Sequence, residues 1–215
     1  MGRRRNIKNA DIKLSEYQGT LVVSDIKELK YLNDQPLDVE IGMGKGKFII
    51  EMAKRNPEIN YLGIEKYDSV LLQACKKLDE KLPNLYFMCA DATNIDSLLD
   101  GLVVNEIYLN FSDPWPKARH EKRRLTSPEF IKKYQKIAKQ PLIINFKTDN
   151  RGLFEYTLQV FNTLKFNFEE LSLDLHQDCP DVITTEYEDR FAQKGNPIYY
   201  VRGILWKHTL VQPIL

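Results

Sequence analysis

From Leu37 onward the apolar positions fall into short strand-length runs that alternate with stretches of helical spacing. The runs at 37–41, 59–64, 85–89, 107–111 and 142–146 predict strands. Between them, Phe48, Ile49, Met52 and Ala53 mark one side of a helix that Asn56-Pro57 stops. A second helix starts at about Asp68, its expected cap, with Val70, Leu71, Ala74 and Leu78 inward. A short one is expected around 95–99. Thr126-Ser127-Pro128-Glu129 opens the next as a capping box between Thr126 and Glu129, burying Phe130, Ile131, Tyr134 and Ile137 and ending before Pro141. Leu153, Phe154, Leu158, Phe161 and Leu164 predict another. Weak alternation over 168–175 reads as a strand, 176–196 is looser with a helical stretch toward Gln193, and 198–206 closes the pattern as a last strand.

The N-terminal part is less regular. Residues 1–20 show no clean period and read as a partly mobile basic arm, and 25–33 as a short helix burying Ile26, Leu29 and Leu32. Residues 21–215 then form one domain. Strands alternating with helices at this spacing imply a doubly wound, mostly parallel α/β sheet. Ligands of such sheets sit outside the carboxyl ends of the strands, where the strand order reverses. Glu40, Glu65, Asp91, Asp113 and Asp149 all fall at or near those ends.

Composition narrows the function more than the fold. With 215 residues, 43% hydrophobic and 28% charged, the chain is ordinary for a soluble globular protein. A net charge of +1 makes it no polycation, so affinity for nucleic acid has to come from local clusters. Two exist, at Arg3-Arg4-Arg5 and at 117–124, while acid gathers over 168–190. Cys75, Cys89 and Cys179 match no zinc or disulfide spacing, so no metal site and a reducing, cytoplasmic setting are expected. No run approaches the length of a membrane span.

The first strand runs into Gly42-x-Gly44-x-Gly46, where a ligand can approach the backbone closely. Lys47 stands where a dinucleotide fingerprint needs its third glycine. Glu40, two residues before Gly42, would repel a pyrophosphate and favour a cation. S-adenosylmethionine carries a sulfonium and an ammonium and no phosphate, Glu65 is placed for its ribose hydroxyls, and Asp91 for its adenine amino group. Plainer readings exist: Glu40 as a solvent-facing strand residue, Glu65 as an acid at a helix start.

After the strand at 107–111 comes Ser112-Asp113-Pro114-Trp115-Pro116-Lys117, then Arg119, His120, Glu121, Lys122, Arg123 and Arg124. The prolines stiffen both sides of Trp115 and hold Asp113 in a fixed relation to it. An acidic, aromatic edge beside a cationic strip suits a neutral or cationic reacting group carried on a polyanion. Trp115 can stack on an extruded base or pack in the core. Of the histidines, His120 reads as a backbone contact, His176 and His208 as surface.

Glu40 through Gly46, Gly63-Ile64-Glu65, Leu109 through Lys117 with Arg119 to Arg124, Phe146-Lys147-Thr148-Asp149-Asn150 and Thr185-Glu186-Tyr187-Glu188 together resemble the bacterial tRNA (guanine-N7-)-methyltransferase family over about residues 35–205. The resemblance implies a Rossmann-like class I methyltransferase fold with an antiparallel C-terminal strand. It implies S-adenosylmethionine as cofactor, tRNA as partner, and methylation of N7 of guanine 46 in the variable loop by a monomer or homodimer. Carried over by position, cofactor contacts fall on Glu40, Glu65, Asp91 and Asp113, beside the loop glycines Gly42, Gly44 and Gly46. Substrate contacts fall on Lys117, Asp149, Thr185, Glu186, Tyr187 and Glu188. RNA contacts fall on Arg119, His120, Glu121, Lys122, Arg123 and Arg124. Asp113 is the expected catalytic residue. The rival classes are another S-adenosylmethionine-dependent RNA base methyltransferase, a nicotinamide-dependent oxidoreductase on the same sheet, and a non-catalytic RNA-binding module.

Overall fold

The computed structural model describes residues 7–30, 35–192 and 195–206. Arg3–Arg5, Leu32 and His208, singled out above, lie outside them. Among the described residues one sheet holds β1 (Val22–Val23), β2 (Leu37–Ile41), β3 (Asn60–Glu65), β4 (Leu85–Cys89), β5 (Val104–Asn110), β6 (Ala138–Thr148), β7 (Asn167–Ser172) and β8 (Tyr199–Leu205). Their order is β1-β4-β3-β2-β5-β6-β8-β7. β8 runs antiparallel to β6 and β7, and the remaining pairings are parallel. The chain builds outward from β2 through β3 and β4, then returns to place β5 on the other side of β2. That reversal between β2 and β5 is the switch point at which the sheet can open to a ligand.

Both faces of the central strands are covered, which is why their sequences are nearly continuous apolar runs. Leu62 and Ile64 join a core with Ile107, Leu109, Ile144 and side chains of α5 (Pro128–Ile137) and α6 (Arg151–Thr163), beside the short α4 (Ile95–Leu98). Their neighbour Tyr61 faces the opposite core, shared with α1 (Ala10–Leu14), α2 (Lys47–Arg55) and α3 (Asp68–Cys75). Gly63 faces that side too. A Cβ there would collide with the Met43 sulfur, which drops from the glycine loop onto the strand. α7 (Leu175–Asp178) and α8 (Glu186–Ala192) lie between β7 and β8 in the chain.

A polar row crosses the strands of the second face. Arg202 donates to both Glu106 oxygens at 2.5 and 2.6 Å, Asn145 Nδ2 donates to Glu106 at 2.8 Å, and Tyr108 hydroxyl donates to Asp38 at 3.3 Å. Burial pushes the Asp38 carboxyl up to about 6.

Several local expectations change. Within the stretch without period, residues 10–14 form α1, and Ala10 and Leu14 are buried against the α3 side of the core. β1 was not expected; two residues are too few to show alternation. Of 25–33, the described residues 25–30 hold a 3-10 turn at Ile26–Glu28 rather than the expected helix. Tyr67, not Asp68, occupies the cap position of α3, and Asp68 instead accepts from the Cys89 thiol at 3.6 Å. At α5 the cap is Ser127, which accepts from Phe130 N–H, while the Thr126 hydroxyl is buried against Thr157 at 2.8 Å. α5 ends at Ile137 and β6 begins at once, so the strand runs through Pro141.

Candidate active site

The glycine loop leaves β2 with Gly42, Gly44 and Gly46 at φ of 80°, 60° and 78°, the left-handed region that side chains resist. Gly42 and Met43 N–H donate to the Ile64 carbonyl at 2.8 and 3.1 Å, and Gly44 N–H donates to Glu65 at 3.1 Å. The other Glu65 oxygen accepts from Tyr67 N–H at 3.1 Å, so this carboxylate splints the loop to the end of β3. An added Cβ at Gly42 or Gly44 would meet nothing within 4 Å: the loop faces open space.

Glu40 is not a solvent-facing strand residue. It is 1% exposed, with one oxygen accepting from Asn110 Nδ2 of β5 at 2.8 Å, a bond across the switch point. Its other oxygen, Oε2, is buried without a hydrogen-bond partner. Burial pushes the carboxyl up to about 7. A buried orphan acceptor of this kind is costly and calls for a donor or a cation. Lys147, at the end of β6, is the nearby buried cation; burial holds its ammonium below the usual lysine range.

Lys147 is committed elsewhere. It donates to Glu188 at 2.8 Å and to the Ile183 carbonyl at 2.9 Å, pinning residues 183–189 beside the strand ends. Thr185 and Glu188 form a capping box at the start of α8: Thr185 hydroxyl accepts from Glu188 N–H, and Glu188 accepts from Thr185 N–H, both at 3.0 Å. His176 Nε2 meets the second Glu188 oxygen at 2.7 Å, so His176 is not simply surface. Glu188 is fully buried. Two more lysines fasten the segment: Lys47 bonds Thr184 at 2.6 Å and Asp189 at 2.5 Å, and Lys77 pairs with Glu186. Tyr187 alone of this motif reaches toward the loop after β5. Its ring lies 5.1 Å from that of Phe111 and its hydroxyl donates to Asp149 at 3.0 Å.

That loop is held from below. Phe111 N–H donates to the Lys147 carbonyl at 2.8 Å, and Phe111 and Trp115 both adopt left-handed φ, 51° and 42°. Arg124 turns inward: its guanidinium donates to the Pro114 and Trp115 carbonyls, each at 3.1 Å, and lies 4.2 Å over the Tyr156 ring. Trp115 is half-buried, edge-on to His120 at 5.6 Å, with Arg123 4.8 Å over its ring. Asp113 is half-buried as well. Residues 118–123 form a 3-10 turn on which Arg119, Glu121, Lys122 and Arg123 are exposed, as is Lys117 before it. This turn leans on α5 and α6, through Lys122–Glu129 at 3.8 Å and Tyr156 hydroxyl donating to Glu121 at 3.0 Å.

The folding of the chain thus gathers Glu40, Glu65, Asp149, Tyr187, Glu188 and the loop of Asp113 at the strand ends. Asp91 stands one strand further out, exposed, bonded to Lys66 at 2.6 Å and capping its own turn through Thr93; these donors hold its carboxyl down to about 2. Lys47, Asn110 and Lys147 were missed by sequence reading. A lysine directly after the apolar run 142–146 was the available signal for the last.

A family model described as "Putative methyltransferase" matches residues 34–201. The tRNA (guanine-N(7)-)-methyltransferase of Lactobacillus johnsonii is 51% identical over 170 residues, covering 77% of this chain and 78% of that protein. That of Bacillus subtilis is 45% identical over 197 residues, 89% of this chain and 90% of that one. Among solved structures, an antibiotic-related methyltransferase superposes with a TM-score of 0.62 at 18% identity, covering 94% and 97% of the two chains. A 16S rRNA (adenine(1408)-N(1))-methyltransferase from Catenulisporales acidiphilia, solved with cosubstrate SAM, gives 0.59 at 12% identity over 97% and 96%. Likeness at such low identity concerns the fold.

Proposed function

Given that this chain belongs to the tRNA (guanine-N(7)-)-methyltransferase family, whose members use S-adenosylmethionine, we propose that it methylates N7 of guanine 46 in the tRNA variable loop. The observation that carries the reading is the unpartnered Glu40 oxygen at the base of an open glycine loop at the switch point. A dinucleotide pyrophosphate would place negative charge against that carboxylate; a cationic methyl carrier satisfies it. The donor set therefore fits S-adenosylmethionine, which when bound supplies an electrophilic methyl on a sulfonium.

Glu40 and the backbone of Gly42, Gly44 and Gly46 would hold its charged end. Glu65, splinting the loop at the end of β3, would accept from the ribose hydroxyls. Asp91 would take the adenine side. The base needs little acid–base help, because guanine N7 is an unprotonated acceptor with its lone pair in the ring plane. What the protein must supply is position, and stabilisation of the positive charge that the purine gains. Asp113, Asp149 and the Thr185–Tyr187 edge would accept from the guanine N1 and amino groups, with Asp113 as catalytic residue. Glu188, on the buried side of α8, acts by positioning Tyr187. Lys117, Arg119, Lys122 and Arg123 would take phosphates, and His120 and Glu121 would shape that turn. Arg124 fixes the Trp115 platform on which the extruded base can stack.

The test is transfer of label from methyl-tritiated S-adenosylmethionine into tRNA, followed by mapping of the modified base. Label is expected at guanine 46 and absent from a transcript with adenine there; label on another base, or none, overturns the assignment.

A further inference from the structure

Asn110 is the last residue of β5, and the chain turns directly after it. Phe111 takes a left-handed φ of 51° and gives its N–H to the carbonyl of Lys147, the register partner of Asn110 on β6. On the other side, Glu40 of β2 is in register with Tyr108, so Glu40, Tyr108 and Asn110 share one face of the sheet. The 2.8 Å bond from Asn110 to Glu40 therefore joins the end of β2 to the point from which the loop of Asp113 departs. Both side chains are buried.

The chemistry of this donor decides what Glu40 can do. A lysine or arginine at 110 would neutralise the carboxylate and leave no charge for a cationic ligand to meet. A leucine would strand both oxygens. An amide satisfies one oxygen and adds no charge, while Lys147 is occupied with Glu188 and the Ile183 carbonyl. Burial works against the ionised form of Glu40; the Asn110 bond is the leading influence that favours it, ahead of Lys147 on β6, and Glu65 on β3 opposes it. Resting on the methyl-donor reading above, we propose that Asn110 is a positioning residue of the cofactor site: it turns Glu40 so that the unpartnered Oε2 meets the ammonium of S-adenosylmethionine, and it ties that acid to the root of the Asp113 loop. The methyl carrier and the loop beside the base then share one fixed reference.

Calorimetric titration of S-adenosylhomocysteine into Asn110→Leu from about pH 6 to 8.5 tests this. Below about pH 7 the affinity should fall roughly tenfold, which is about what one hydrogen bond to an ionised group contributes, and it should approach the wild-type value toward the alkaline end. 5′-Methylthioadenosine, which lacks the amino-acid end, should bind wild type and variant alike. In a Glu40→Gln background the same replacement should cost nothing further. Asn110→Ser, which keeps a shorter donor, is the milder variant and should show the same pattern at smaller size. Wild-type affinity for S-adenosylhomocysteine across the pH range in both variants overturns the role, as does an equal loss for 5′-methylthioadenosine, which marks general damage to the crevice. A wild-type protein that binds neither nucleoside is a different result and overturns the methyl-donor reading itself.

Discussion

In the crevice, Lys147 and Glu188 have side chains 4% and 0% exposed, Glu40 is closed from solvent, and the Lys147–Glu188 and Glu40–Asn110 pairings join separate elements. In the cationic turn, Lys117, Arg119, Lys122 and Arg123 stand in water on a single short stretch of chain. The first arrangement is rigid because breaking any contact strands a buried charge. The second is adaptable because its charges are hydrated whether or not a partner is present. Methyl transfer needs both: fixed geometry where the bond forms, and tolerance where a long, irregular polyanion is held.

Substitutions should separate the two regions. Asp113→Ala is expected to lower kcat by on the order of 10³-fold, with tRNA affinity in a binding assay near wild type; near-normal turnover would remove Asp113 from the chemistry. Lys147→Met leaves Glu188 buried without its cation and should cost about 3–5 kcal/mol of stability in urea unfolding. The double variant K147M/E188L should recover much of that loss. If single and double variants are equally unstable, the pair is not what fastens residues 183–189.

Glu40 gives a pH signature that the turn lacks. Its carboxyl lies at about 7 in the folded protein against an ordinary 4.5. Between those values the folded state therefore binds a proton that the unfolded chain releases, so its contribution to stability falls as pH rises through this window. Asp38, raised to about 6, has the same sign over the lower part. An ammonium placed against Glu40 favours its ionised form, so affinity for S-adenosylhomocysteine, which keeps the ammonium though not the sulfonium charge, should climb by up to about tenfold per pH unit below about 7 and then level off. Calorimetry from pH 5.5 to 8 checks this; Glu40→Gln should flatten the curve, and parallel curves would dissociate Glu40 from the ligand. The smallest effect belongs to the turn: Arg123→Ala should raise the KM for tRNA several-fold and reduce the salt slope by about one, with kcat unchanged.

The strand–helix alternation, the glycine loop and the acids at the strand ends were legible in the sequence because each is a local pattern or a short motif. What was not legible depends on contacts between distant segments. Thr126 and Glu129 have the spacing of a capping box, yet Thr126 is taken by Thr157 and Ser127 caps α5. Thr185 and Glu188 have the same spacing and do form the box, under which Glu188 is also claimed by Lys147 and His176. Pro128 favours the first helical position and so points to Ser127 as the cap, a signal that the Thr-to-Glu spacing alone does not carry. Arg124 reads like its cationic neighbours until Tyr156, 32 positions on, offers it a ring to lie against. Lys122, two positions earlier, stays outside.

The close fit of Met43 above Gly63 ties the ligand-facing loop to the history of the strand beneath it. Neither position can drift alone. Any descendant that acquires a methyl group at 63 must first shorten residue 43, and the intermediate with a short side chain over glycine carries a void. Homologues with a side chain at 63 are expected to carry a shorter residue at 43, and Gly63→Ala with Met43 retained should yield a chain that fails to close its loop.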